Sequence, residues 1–374
     1  MPDRQPDRLA PGNGPDRRLA GTTRPAEERR GRGATANPGA RYERAQTEAF
    51  DDGWDREEAP ARLRTEVARE QARTILTRNS SPDIPFDRSI NPYRGCEHGC
   101  VYCFARPNHA YVGLSPGLDF ETRLFAKLNA AECLEAELSA RGYRPRTIAL
   151  GTATDPYQPI EREHRITRGV LKVLSRFRHP VGIVTKSNLV VRDVDILAEM
   201  AARNLVKVAI SVTTLDPVLA RGMEPRAPHP EKRLAAIRAL SAAGIPVMAI
   251  MAPIIPSLND HEIEALLARV REAGAGEANY VLLRLPLELD DLVSDWLGEH
   301  YPGRQRHVLS LVRQARGGKA YDAEWGRRMT GAGRYAELIA ARFRLAKRRL
   351  GFTETRVTLD DSQFLAPSSQ LALF

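Results

Sequence analysis

S-I-N-P-Y-R-G-C-E-H-G-C-V-Y-C-F, residues 89–104, places Cys96, Cys100 and Cys103 in a C-x3-C-x2-C array directly after a short extended segment. Three thiolates on one loop close around one face of a metal centre, because the intervening residues let the chain wrap it. A structural zinc site is closed by four protein ligands in a tetrahedron, and no second Cys or His pair at such spacing lies nearby. A cubane iron–sulfur cluster also needs four ligands, so three cysteines leave one iron open. A different metal, with His98 as the fourth ligand, is the competing reading of the loop.

The spacing C-x3-C-x-aromatic-C, with Tyr102 before the last Cys, resembles the signature of the radical S-adenosylmethionine (SAM) enzymes. The longer phrase N-P-Y-x-G-C-x-H-G-C-x-Y-C is similar to the branch that includes spore photoproduct lyase. The resemblance implies a 4Fe-4S cluster on Cys96, Cys100 and Cys103, with SAM chelating the open iron and Tyr102 beside it. It further implies reductive cleavage of SAM to a 5′-deoxyadenosyl radical, which takes hydrogen from an unreactive C–H bond. A low-potential electron donor would feed that reaction. In such enzymes the cofactor supplies the hard chemistry, and the protein orients, excludes water and sets potential.

Working outward from the loop, strand and helix patterns alternate. Apolar strands are expected at 90–93, 147–151, 182–185, 206–212, 246–251 and 280–285. Helices are expected at 121–141, 161–177, 193–203, 231–243, 260–273 and 288–297. Near-continuous apolar strands between helices mean a parallel sheet covered by helices. The fold class is α/β. Six units match the partial (β/α)6 TIM-like barrel that the resemblance implies, over residues 81–300. Two Arg-rich helices follow within 301–352, then a flexible polar tail over 353–374. Residues 1–80 read as a largely disordered basic, Pro-rich leader, with a helix at 61–76 behind Pro60.

In barrels of this kind the chemistry gathers at the C-terminal strand ends. The second-strand loop, Gly151 to Asp155, lies where related enzymes offer backbone acceptors to the SAM amine, which points to Gly151, Thr152 and Thr154. Lys186 and Ser211 match positions where the photoproduct-lyase branch holds the SAM carboxylate and ribose; a lysine suits a carboxylate as a point charge. The plain alternatives are a rim salt bridge for Lys186 and a helix cap for Ser211. Arg226 is a further anion contact. Ile254 and Ile255 either flank the adenine or fill the core. Photoproduct lyases carry a hydrogen-donor Cys in the second-strand loop, where this chain has Thr152. A hydroxyl O–H bond is too strong to quench a carbon radical readily, so dimer reversal by that route lacks its donor. Tyr157 is a candidate substitute, or a packing residue.

The 374 residues carry a net charge of +9 and only four cysteines. Cys133 sits in a helical pattern and reads as a structural thiol. With no disulfide framework, no secretory h-region and no run of about 18 apolar residues, the expected compartment is a reducing cytoplasm. The basic excess suits a polyanion such as DNA or another nucleic acid. The last five residues, Gln370, Leu371, Ala372, Leu373 and Phe374, resemble the motif by which bacterial repair proteins dock on the sliding clamp, an extended peptide in an apolar groove; otherwise they tuck back onto the barrel. The resulting expectation is a radical SAM enzyme, lyase-like, in DNA repair or modification. The alternatives are a protein or small-molecule substrate, or a non-enzymatic clamp-associated iron–sulfur module.

Overall fold

Val, Ile and Ala dominate six short strands that pair in parallel, in chain order. These are β1 (Arg88–Ile90), β2 (Ile148–Leu150), β3 (Val181–Thr185), β4 (Val206–Ser211), β5 (Val247–Ile254) and β6 (Glu277–Leu282). The computed structural model describes residues 21–23, 29–42, 63–355 and 357–365. Registers run Arg88 to Ile148, Ile148 to Val181, Val181 to Val206, Val208 to Val247 and Met248 to Glu277. Leu76–Arg78 adds an antiparallel edge to β1. The sheet is open between β1 and β6, which makes the fold a partial (β/α)6 barrel.

The helices between strands lay one apolar stripe on the sheet. They are α1 (Ala130–Leu138), α2 (Ile166–Arg176), α3 (Val194–Ala202), α4 (Pro230–Ala242) and α5 (Ile263–Glu272). In α2 the buried side chains Ile166, Val170, Leu171, Val173 and Leu174 recur at helical spacing. α4 starts on Pro230, with the His229 side chain accepting from Glu231 N–H, as helix starts favour. Beyond β6, α6 (Leu289–His300) and α7 (Gln305–Gln314) form a second apolar cluster around Trp296 that reaches Cys100, Val101 and Tyr102. The last helix, α8 (Gly333–Arg349), stacks Phe343 on Tyr280 and pairs Arg342 with Glu264 of α5.

Five sequence expectations need correction. The first strand ends at Ile90, and Tyr93–Arg94 belongs instead to a small second sheet. That sheet pairs Arg123–Lys127 with Tyr93–Arg94 on one side and Glu66–Glu70 on the other. The helix expected from 121 is a single turn, Asp119–Thr122, that gives way to strand before helix resumes at Ala130. The helix expected at 61–76 is, where described, strand at Glu66–Glu70 and from Leu76, with irregular chain between. Tertiary pairing overrides local helix propensity at both places. The leader is not structureless within 29–42: Arg32, Ala34 and Thr35 are buried, and Ala36–Pro38 pairs with Gly21–Thr23. The tail is also held through residue 365. Leu365 N–H donates to Phe177 O, and the Phe364 ring packs on Tyr143, Phe177 and His179. Residues 370–374, the clamp-like motif, lie outside the described residues. No helix among those described is long and apolar enough to cross a membrane.

His179 and His109 are both buried, and burial holds both rings down to a pKa of about 4. The His179 Nε2 meets Tyr143 OH at 2.8 Å and its Nδ1 meets Pro180 O at 3.0 Å, a neutral tautomer. The unfolded chain protonates these rings below about 6.5, whereas the folded chain resists until about 4. Their stabilisation is thus complete above the unfolded value and lost as pH falls through that window. Urea midpoints of the apo-protein are expected to drop between pH 7 and 4.5, and less steeply in a H109N/H179N variant.

Candidate functional site

The cysteine loop leaves the small sheet after Arg94, and Cys96 N–H is tied to Phe120 O at 2.9 Å. A buried ion pair holds its far side. Arg106 and Glu121, both inaccessible to solvent, meet at 2.5 Å. Arg106 also donates to Cys100 O (2.8 Å), Gly99 O (3.2 Å), Pro116 O and Gly117 O. Glu121 in turn accepts from Gly33 N–H (2.9 Å) and Ala34 N–H (2.8 Å). The N-terminal segment is thereby strapped over the loop so closely that a Cβ on Gly33 would lie 1.8 Å from Gly99 O. Only glycine fits that approach.

A second buried network spans the ends of β3 and β4. Lys186 Nζ donates to Ser211 Oγ at 2.8 Å, stands 3.8 Å from Glu224 Oε1 and lies 5.6 Å from the centre of the Tyr102 ring. Glu224 is the hub. It accepts from Tyr102 OH, from Thr213 Oγ1 at 2.6 Å and from Arg233. Arg233 reaches Ser211 O at 3.1 Å and Pro228 O at 2.8 Å. Burial depresses the Lys186 ammonium, while the nearby Cys100 works against that. The structure thus brings the sequence candidates Tyr102, Lys186 and Ser211 together. Ser211 is no helix cap; Ser187 is the cap, accepting from Leu189 N–H.

The second-strand loop docks on the first. Thr154 Oγ1 donates to Gly95 O at 2.7 Å, Gln158 donates to the same carbonyl, and Glu97 N–H donates to Gln158 Oε1 at 2.8 Å. Thr152 faces Asn91 at 3.2 Å. Gly151, at φ 93°, would place a Cβ 2.2 Å from Val184 O, so its freedom serves strand packing. Asp155 pins the loop to β3 by accepting from Thr185 Oγ1 (2.7 Å) and Lys186 N–H (2.8 Å). Burial alone would raise its carboxyl, but His98 and these donors outweigh that and hold it low. His98 is buried with its Nδ1 3.3 Å from Asp155 Oδ2, off the hydrogen-bond direction. Burial pulls the ring down; Asp155 and Cys96 outweigh it and push it up to about 10.

Several candidates go elsewhere. Arg226 pairs with Glu97 at 2.8 Å. Ile254 and Ile255 are buried in the two apolar clusters. Tyr157 is fully buried in the main core. Cys133 donates to Ala72 O and lies outside the site. Missed were Glu224, Arg233, Asp155 and the Arg106–Glu121 pair. Arg233 had a visible signal: it shares the buried stripe of Pro230, Leu234, Ile237 and Leu240 on α4, where a lone cation needs a buried anion.

Cys96 and Cys100 are buried and Cys103 is half-buried. Burial pushes the Cys100 thiol up, followed by Glu224, with Lys186 opposing and the other two thiols adding. Burial and then Cys96 raise Cys103. The three thiols are therefore electrostatic neighbours. Yet among the described residues no three His, Cys, Asp or Glu converge on a point that one ion would fill. Three soft thiols that act on one another, with the Lys186 cation beside Cys100, are a donor set that suits a three-cysteine cubane.

Residues 90–270 match the Radical SAM superfamily. An uncharacterized protein of Mycobacterium tuberculosis is 39% identical over 233 residues, spanning 62% of this chain and 68% of that one. An uncharacterized protein of Methanocaldococcus jannaschii is 30% identical over 173 residues, spanning 46% and 62%. Among solved structures, spore photoproduct lyase complexed with dinucleoside spore photoproduct superposes with a TM-score of 0.54 at 16% identity, covering 76% of this chain and 79% of that one. A mutant of that lyase with bound AdoMet and the same dinucleoside gives 0.54 at 15%. At such identity the likeness shows the fold. The chain belongs to the radical SAM superfamily. It is a radical SAM enzyme, which removes the non-enzymatic module from consideration.

E224A would strand Arg233, 2% exposed, without its anion. Breaking a buried pair in this way costs about 3–5 kcal/mol. Urea unfolding is expected to show that loss for E224A and a clearly smaller one for E224Q, which keeps hydrogen-bonding capacity.

Proposed function

We propose that this enzyme binds a 4Fe-4S cluster through Cys96, Cys100 and Cys103, holds SAM against β2 to β4, and acts on nucleic acid. The observation that carries the reading is the meeting of the three-thiol loop with Tyr102, Lys186 and Ser211 at the C-terminal strand ends. When bound, cluster and SAM supply one-electron cleavage of the sulfonium and a hydrogen-abstracting carbon radical. Lys186 offers a point charge to the SAM carboxylate, already oriented by Ser211 and the Tyr102 ring. The backbone of Gly151 to Thr154 offers acceptors to the SAM amine; the side chain of Thr154 is spent on Gly95 O and braces the cysteine loop. Glu224 and Arg233 keep Lys186 in place without reaching solvent. α6 and α7 close the apolar side and exclude water.

Support for a nucleic-acid substrate comes from the +9 net charge, the Arg-rich α7 and α8, and a fold shared with a lyase that takes a dinucleoside photoproduct. The clamp motif at Gln370, Leu371, Leu373 and Phe374 adds a DNA-associated partner to the proposal. Thr152 stands at the lyase's thiol position, and the only cysteine beyond the loop is the distant Cys133. The proposed reaction therefore returns no hydrogen from a thiol of this chain.

Anaerobic reconstitution is expected to load about four irons per chain, and C96A, C100A or C103A to lose the cluster's visible absorbance. K186A is expected to keep its iron but to raise the KM for SAM roughly tenfold or more, the scale of a lost charge-assisted contact. 5′-Deoxyadenosine release should rise with oligonucleotides and not with peptides. A loaded cluster that cleaves no SAM, or that responds to peptides alone, contradicts the proposal.

A further inference from the structure

The lip of the site beyond β6 carries a cation, Arg284, that Tyr321, Cys103 and Asp83 feel only at longer range and that no described residue pairs with directly. Arg284 follows β6 by two residues, and its guanidinium lies 4.3 Å from the centre of the Phe104 ring. Phe104 is the residue directly after Cys103 and is 47% exposed. Among the described residues no hydrogen bond or ion pair takes the N–H groups of Arg284. Stacking engages the flat face of a guanidinium and leaves its in-plane donors free for a bidentate acceptor.

The neighbouring arginines are committed. Arg316, 1% exposed, donates to Leu282 O, Leu283 O, Arg327 O and Arg328 O. Arg328 pairs with Asp83 at 2.5 Å. These contacts, with Leu282 N–H on Met329 O and Ala332 N–H on Ala315 O, lay the segment from 315 to 332 across the end of β6. That segment presents Trp325, 58% exposed. An unspent cation among exposed aromatic rings is the pattern that tracks a nucleic-acid strand, phosphate on the cation and base on the ring. A peptide carboxylate would use the cation and leave the rings idle.

We propose that Arg284 and Phe104 form a nucleotide subsite at the mouth of the cluster loop. Arg284 takes a phosphodiester of the substrate strand, and the open face of Phe104 stacks the adjoining base. Because Phe104 is bonded to Cys103, the subsite sets the strand beside the place where hydrogen is abstracted. The assignment rests on the nucleic-acid reading above.

The test is anaerobic fluorescence anisotropy of the reconstituted full chain with a labelled single-stranded oligonucleotide over a salt series. R284Q is expected to bind at least about tenfold more weakly, with the log–log salt slope reduced by about 0.7, one single-strand phosphate. F104L is expected to lose about 5- to 100-fold, as stacking losses do, with the slope unchanged. R284K, which keeps the charge but not the planar stack, should retain the wild-type slope at weakened affinity; it carries the test if R284Q fails to load iron. Wild-type affinity and slope in R284Q, beside a wild type that does bind, overturn the subsite and leave the nucleic-acid reading standing. A wild type that binds no oligonucleotide, or that prefers an acidic peptide, overturns both.

Discussion

Arg106 and Glu121 meet in a place that water does not reach, and the cysteine loop hangs on their contact. The guanidinium spends its remaining donors on four loop carbonyls; the carboxylate spends its second oxygen on the backbone of the N-terminal strap. Such a pair adds little net stability over an apolar substitute, because both ions must be desolvated. What it confers is position. Three thiols must face one centre, and a loop rich in glycine has no intrinsic reason to hold them so. The ion pair supplies that reason, and the strap packs directly on Gly99.

The same economy of placement governs the strand ends. Glu224 arrives from the loop after β4, Arg233 from α4, Lys186 from β3 and Tyr102 from the cysteine loop. Glu224 is the single anion that both cations share, and it meets them only when these elements are docked. The barrel therefore brings its parts into register through one buried network, and Lys186 is set by buried partners, Ser211 and Glu224. Arg284 stands apart because it has a ring to lie on and, among the described residues, no direct ion-pair or hydrogen-bond partner.

Much of this was legible in the residues. The cysteine spacing, the six apolar strands and the strand-end positions of Lys186 and Ser211 follow from short-range pattern; the structure bears out the strands and sets both residues at their ends. The small second sheet was not legible. Residues 123–127 read R-L-F-A-K and continue a helical pattern locally; only pairing with Glu66–Glu70, more than fifty residues away, makes them a strand. The seating of residues 32–34 was hidden for a similar reason: nothing local in Arg32, Gly33 and Ala34 signals burial until Glu121 receives them. Glu224 and Arg233 lie nine residues apart on different elements, so their pairing is a fact of tertiary structure, although a charge inside an apolar helix stripe announced that a partner existed.

The central claim is that three sulfurs hold a cubane with one iron left for the cofactor. Electron paramagnetic resonance of the anaerobically reconstituted, dithionite-reduced protein tests it most directly. A reduced 4Fe-4S signal whose g-values move when SAM is added is the expected result, as the open iron gains new ligands. A protein that takes zinc instead, or a cubane signal indifferent to SAM, contradicts the account.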